Sequence, residues 1–264
     1  MHWIIQGNVF SEEGWDRLID ALDRVGASYS IHRCVPFIRT LQPEPELPPG
    51  PVVVMGTYGL VQTAKERGWV PGAWSDEDFD YRVQVGHWGD AMFNAQCTLH
   101  RFGDVPFQEQ PFFMRPVFDS KDFTGMVTDW EDYSNWREMV SKLTPEDGAT
   151  MSLDTTVMVG PVRKIAREFR TWVVAGKVVT ASQYKLGRHK TYQPLVDQRV
   201  IDFAQAQAKI WSPAEAFVLD VFETPDGDLF IGEVNTLNCS GFYAADMVAL
   251  VGAIEDLVRQ KYEE

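Results

Sequence analysis

The sequence predicts an α+β protein headed by a small α/β unit, and three observations carry this. The first 85 residues alternate short apolar strands with helical segments. The last hundred contain two hairpin signals. The chain closes on a long amphipathic helix, and no internal repeat interrupts the series.

In residues 1–85, HWIIQ reads as a strand. Trp15, Leu18, Ile19 and Leu22 recur at helical spacing behind Ser11, a candidate N-cap. SYSIHRCV alternates as a strand, LQPEPELPPG is a stiff Pro-rich loop, and PVVVMG–TYG–LVQTAKERG reads strand, glycine turn, helix. That unit lacks GxGxxG, so it carries only a weak dinucleotide signal. In residues 86–160 the pattern predicts a helix from Trp88 to His100 and a strand PFFMRPVF. A polar run DSKDFTGMVTDWEDYSNW, a helix REMVSKL and a strand TTVMVG follow. In residues 161–264, EFRTWVV and KVVTASQYK flank Ala175-Gly176, and DQRVIDFAQAQAKIW is amphipathic. AFVLDVF and DLFIGEVN flank TPDG. The closing helix has an apolar face of Val248, Leu250, Val251, Ile254 and Leu257.

With 45% apolar and 12% aromatic residues, the 264-residue chain has enough apolar surface for a packed core without staples. No run of ~18 apolar residues predicts a membrane span. The N-terminal MHWIIQGNVFSEEGW reads as a first strand and not a signal peptide, so a cytoplasmic protein is expected. Cys34, Cys97 and Cys239 are odd in number, with no CxxC, and read as reduced thiols. HExxH, GxSxG and GxxxxGK[ST] are all missing.

The formal net charge of −14 argues against nucleic-acid or anionic-membrane partners. The charge is uneven. Pro161 to Arg199 holds nine Lys or Arg against two acids, +7 locally and −21 elsewhere. Such an island points to a small anionic ligand, or to solvated strand edges where Lys is common.

The most informative segment is AFVLDVFETPDGDLFIGEVN. If Asp226-Gly227 is a two-residue turn, Asp220 faces Glu233 and Val218 faces Asn235. Two carboxylates ~5 Å apart repel by ~3 kcal/mol at an effective dielectric of ~20. A cation between them removes that cost, and Asp, Glu and Asn oxygens suit Mg²⁺ carrying a nucleotide. If the loop is Pro225-Asp226-Gly227 with a bulge, the register slips by one and the acids part, unless a second bulge restores them. On the other hairpin, an Ala175-Gly176 turn puts Glu168, Arg170, Gln183 and Lys185 on one face. Arg170 can hold a phosphoryl oxygen in two prongs, and Lys185 adds a point charge. Arg115 sits on an apolar strand and needs a partner, an acid or a phosphate. Lys121 follows in SKDFTG, a candidate lid.

These strings resemble the ATP-grasp superfamily over about Pro111 to Asp246. FMRPVFDSKDFTG is similar to the phosphate-contacting strand and glycine loop of that family. TTVMVGPVRKIAREFRTWVV is similar to its adenine hinge and the strand with the functional Arg. FVLDVF and FIGEVNTLNCSGFY are similar to its metal-binding end. The chain most resembles a small clade of bacteria and their phages named for one arginine and two lysines, here aligned with Arg115, Lys121 and Lys185.

The resemblance implies two α+β lobes (86–160 and 161–264) gripping ATP, behind an N-terminal α/β domain (1–85). It implies an ATP- and Mg²⁺-dependent ligase that joins a small-molecule or peptide carboxylate to an amine acceptor through an acylphosphate. Asp220, Glu233 and Asn235 would hold Mg²⁺, and Arg115 and Lys121 the phosphates. Main chain at Met158, Val159 and Gly160 would read adenine, with Met114 and Val157 or Val159 against its faces. Arg170 and Lys185 would be catalytic, and Arg167, Tyr184, Arg188, Ser240 and Tyr243 would face the substrate. The same apparatus would serve a kinase acting on a hydroxyl, and a non-catalytic nucleotide-binding module is the other alternative. The family pattern departs at the short FTG loop and at Arg115, where many relatives carry Lys.

Overall fold

In the computed structural model, residues 1–9, 14–35, 40–74, 79–117, 123–144 and 151–262 are described. The chain forms two compact units. The first joins Met1–Glu77 to Ile165–Glu264, and the second is Asp78–Lys164. The three segments read along the sequence are thus regrouped by packing, with the N-terminal residues and the last hundred sharing one unit.

The larger unit holds two sheets. Strands β1 (His2–Gln6), β2 (Tyr29–Cys34), β3 (Leu41–Gln42), β4 (Val52–Met55) and β5 (Pro71–Gly72) order as β3-β2-β1-β4-β5. β1 is parallel to both neighbours, and its apolar run is buried on both faces, as parallel strands require. Helix α1 (Trp15–Val25) starts after Gly14; Ser11 lies outside the described residues. Helix α2 (Tyr58–Arg67) follows β4 as expected.

Beneath β1 and β2 runs a chain of side chains. Ser28 and Ser30 flank His2 at 2.7 and 2.8 Å, Ser30 meets His32 at 2.6 Å, and His32 meets the Pro43 carbonyl at 2.6 Å. Burial first, then repulsion from His32 and the N-terminal ammonium, lowers the His2 pKa below 6.5. The unfolded chain therefore binds the proton more readily. Stability from this group is present above pH ~6.5 and is lost as pH falls below it. His2→Gln is expected to reduce the fall in urea midpoint between pH 7 and pH 5.

The second sheet is antiparallel. Its strands are β10 (Arg167–Val174), β11 (Lys177–Leu186), β12 (His189–Gln193), β13 (Ala216–Glu223) and β14 (Leu229–Thr236), ordered β12-β11-β10-β13-β14. The β10–β11 turn has Ala175 at φ 49° and Gly176 at φ 73°, both left-handed, the geometry of a tight hairpin. Helix α5 (Gln198–Ile210) buries Val200, Ala204 and Ala208. Helix α6 (Met247–Tyr262) buries Met247, Leu250, Val251, Ile254, Leu257 and Val258. Val248, expected on the apolar face, is 41% exposed instead, one position off the buried stripe. One core joins the two sheets. Trp3, Ile5, Val53 and Met55 pack with Trp172, Val174, Ala216 and Val218 around α1 and α6.

The smaller unit has a sheet ordered β6-β9-β7-β8: β6 (Thr98–Arg101), β7 (Phe112–Pro116), β8 (Met126–Thr128) and β9 (Thr156–Pro161). The helix expected at Trp88–His100 lies earlier, as α3 (Tyr81–Trp88). Asp80 caps it by accepting from the Arg82 amide, Gly89 ends it at φ 48°, and the chain then enters β6. Helix α4 (Trp130–Val140) also starts earlier than REMVSKL suggests, because Asp129 accepts from the Asp132 amide at 2.9 Å. Phe102, Phe112, Met114, Val157 and Val159 pack with Tyr133 and Val140 of α4.

Candidate active site

The β13–β14 hairpin resolves the register left open by the sequence. Thr224 N donates to Asp228 O at 2.9 Å, which closes a Pro225-Asp226-Gly227 loop with Gly227 at φ 89°. That slipped register holds from Glu223↔Leu229 to Val221↔Ile231. A bulge at Gly232 then restores the pairing Asp220↔Glu233 and Val218↔Asn235. Gly232 is required there, since a Cβ on it would lie 2.3 Å from the Phe222 ring. Gly232→Ala is expected to cost about 1–3 kcal/mol by overpacking, read as a lower urea midpoint.

Strand alternation defines one polar face. Along β10 it carries Glu168 and Arg170, opposite Phe222 and Asp220 on β13. Asp220 is 0% exposed, and Arg170 8%. The Arg170 guanidinium donates to Asp220 in two prongs, Nε to Oδ1 and Nη2 to Oδ2, each at 2.8 Å. Burial alone would lower the Arg170 pKa, but attraction to Asp220 outweighs it and raises the value. Burial pushes Asp220 up to about 6 against the pull of Arg170, with Glu233 and Glu168 adding repulsion. The Asn235 amide bridges the two acids, donating to Glu233 Oε1 at 3.1 Å and Asp220 Oδ2 at 3.4 Å.

The second hairpin carries two bulges, so Arg170 opposes Ser182, Phe169 opposes Gln183, and Glu168 opposes Lys185. Gln183 therefore leaves the polar face where a regular register would put it. Lys185 Nζ donates to Glu168 Oε1 at 2.6 Å. Tyr184 lies in the bulge under Arg170, whose guanidinium carbon is 5.6 Å from its ring centre. Burial, then the charges of Asp220 and Glu168, raises the Tyr184 pKa.

Other expected residues fall elsewhere. Arg167 points to the opposite face and pairs with Glu223, which also binds Arg199. Arg188 is exposed in the turn before β12. Ser240 is buried and donates to Thr236 O at 2.7 Å. Four of the nine basic residues of the island are thus answered by acids of the protein: Arg167, Arg170, Lys185 and Arg199 each meet one.

In the smaller unit, Arg115 and Met158 are cross-strand neighbours on β7 and β9. Val159, Val157 and Met114 lie on the other side of the sheet and pack in the core around Tyr133. β9 has β6 on one side as far as Val159 and β7 on the other, so Gly160 lies past the end of β6, against Cys97. A concavity of about 810 Å³ opens there, lined by Gln96, Thr98, Gln108, Phe112, Gly160 and Val162 among others. Burial pushes Cys97 up to about 11, opposed by Arg115 and Arg163. Lys121 lies outside the described residues.

The donor chemistry suits a hard divalent cation. Two carboxylates and an amide converge on one face, and a half-turn of the Asn235 amide presents its oxygen to the same point. Among the described residues, no cluster of three or more His, Cys, Asp or Glu with metal-binding geometry occurs.

Fold and site together define an ATP-grasp protein. Residues 46–254 match the model of an ATP-grasp domain, the third family of the clade named for one arginine and two lysines, and the chain belongs to that family. Comparison by sequence with curated proteins finds no match. Among solved structures, a D-alanine–D-alanine ligase from Bacillus anthracis complexed with ATP is 16% identical (TM-score 0.60, covering 98% of this chain and 97% of that one). A RimK domain ATP-grasp protein from Sphaerobacter thermophilus is 15% identical (TM-score 0.61, 98% and 99%). The ATP-grasp ligase PsnB, complexed with a minimal precursor, is 11% identical (TM-score 0.55, 97% and 98%). At these identities the likeness is one of fold. No helix among the described residues is long and apolar enough to cross a membrane.

Sequence reasoning missed β12 and its Tyr192. HKTYQ is polar throughout, because an edge strand needs no apolar alternation. It also missed Asn238, whose side chain ties the turn after β14 to β4.

Proposed function

We propose that the protein is an ATP- and Mg²⁺-dependent ligase joining a carboxylate to an amine. The observation that carries this reading is the opposed Asp220–Glu233 pair, with Asn235 between them and Arg170 alongside, in an ATP-grasp chain. Asp220, Glu233 and Asn235 would hold Mg²⁺, which when bound neutralises phosphate charge on ATP. Arg115 and Lys121 would contact the phosphates, and main chain at Met158–Gly160 the adenine edge. Tyr184, Lys185, Arg188, Ser240 and Tyr243 would border the carboxylate substrate.

In the reaction a substrate carboxylate oxygen attacks the γ-phosphorus of ATP and ADP leaves. The amine then attacks the acyl carbon, phosphate departs, and the amine loses a proton. Arg170 would donate to the oxygens of the transferring group, where charge spreads in the transition state, and fixed donors act most strongly. Lys185, steadied by Glu168, would neutralise the incoming carboxylate. Arg167, committed to Glu223, would contribute to the sheet and not to the substrate. Residues 1–85 would form the pre-ATP-grasp domain, with 86–160 and 161–264 the two lobes.

The test is ADP release in the presence of Mg²⁺ with mixtures of carboxylates and amines. Amide formation with ADP is expected, and Glu233→Gln should slow it by about 10²-fold or more with the fold retained. A stable phosphorylated product without amide would instead identify a kinase.

A further inference from the structure

Arg170 is covered by aromatic rings. Its guanidinium carbon lies 4.8 Å from the Tyr243 ring centre and 5.6 Å from that of Tyr184. Tyr243 is in turn stacked against two rings, Tyr184 at 5.0 Å and 20° and Tyr192 at 5.2 Å and 9°. Tyr192 is half-buried on β12.

The chain goes to some length to place Tyr243. Its φ is 46°, a left-handed conformation unusual for a bulky residue. Phe242 before it is 1% exposed and stacks on Trp15 at 5.4 Å. Ala244 after it donates from its amide to Ser182 Oγ at 3.1 Å, and Asp246 N donates to Thr180 Oγ1 at 2.9 Å. Anchored on both sides, the residue is held with its ring over the arginine. Such strain persists where the surroundings over-determine it, and it concentrates at working sites. The Gly241 carbonyl, two residues earlier, also faces Arg170 Nη1 at 3.5 Å.

We propose that Tyr243, braced by Tyr192, is a positioning residue that keeps the Arg170 guanidinium in its two-pronged pair with Asp220. The flat faces attract the cation electrostatically and exclude water from it, so the donors stay aimed. The inference rests on Arg170 acting on the transferring phosphoryl group, and Tyr192 enters it through its stack on Tyr243.

The test reads the arginine first, in the protein without nucleotide. Hydrogen exchange at Arg170 Nε–H, assigned by NMR, is expected to speed at least tenfold in Tyr243→Leu and in Tyr192→Ala. Tyr243→Phe should stay within twofold of the unsubstituted protein. Turnover should follow: kcat for ATP consumption falls about tenfold in both variants while KM for ATP stays within twofold. Exchange within twofold in Tyr243→Leu overturns the proposal, and the same result in Tyr192→Ala overturns the bracing. If Tyr243→Leu does not fold, Tyr192→Ala decides alone. If the unsubstituted protein consumes no ATP with any acceptor, the ligase reading falls, and the exchange result still decides whether the rings hold Arg170.

Discussion

Asp220→Asn is expected to lower stability by about 3–5 kcal/mol and ATP turnover by about 10²–10³-fold. The size follows from burial. Asp220 is 0% exposed and supplies both acceptors for a guanidinium that is itself 8% exposed. An asparagine keeps the shape but removes the charge, and arginine cannot shed its proton to compensate. The remaining cation then sits buried without a counter-charge. Replacing both partners at once separates the two effects. Arg170→Met with Asp220→Leu should recover most of the stability, since an apolar pair of similar volume needs no desolvation. Turnover should stay low. Urea denaturation and ADP release measure the two quantities independently.

Asn238→Leu is expected to destabilise the larger unit by about 2–4 kcal/mol with the carboxylate face left intact. Asn238 is 1% exposed. Its Nδ2 donates to Val54 O at 2.7 Å, and its Oδ1 accepts from Trp74 N at 3.1 Å. The Asn238 carbonyl also accepts from Gly56 N at 3.0 Å. A leucine of similar size leaves a buried carbonyl and a buried amide without partners, and each such orphan costs about 1–3 kcal/mol. The loss should appear in denaturant midpoints, with the main-chain bond to Gly56 unaffected.

How far the site was legible depends on parity. Along a regular strand, faces follow from counting by two, and this placed Asp220, Glu233 and Asn235 together. The count succeeded through two compensating departures, a three-residue loop and the Gly232 bulge, which cancel. On β11 the bulges do not cancel in the same way, so Gln183 was assigned to the wrong face and Ser182 was overlooked. Bulges depend on tertiary contacts such as the Phe222 ring over Gly232, which no local pattern announces. The basic island was legible only in part for a similar reason. Sequence shows where cations cluster but not the acids that distant strands bring to them, as Glu223 is brought to Arg167 and Arg199. The early starts of α3 and α4 were marked by Asp80 and Asp129, both capping residues. The N-terminal strands and α6 were read within a few residues because continuous burial leaves a strong apolar signature.

Isothermal titration of the protein with ATP, with and without Mg²⁺ and repeated with Glu233→Gln, addresses the carboxylate face most directly. Saturable binding is expected, weakening at least tenfold when Mg²⁺ is withheld or Glu233 is replaced. Equal affinity under all three conditions would contradict the assignment, because ATP would then be held without the metal and without the acid that is said to carry it.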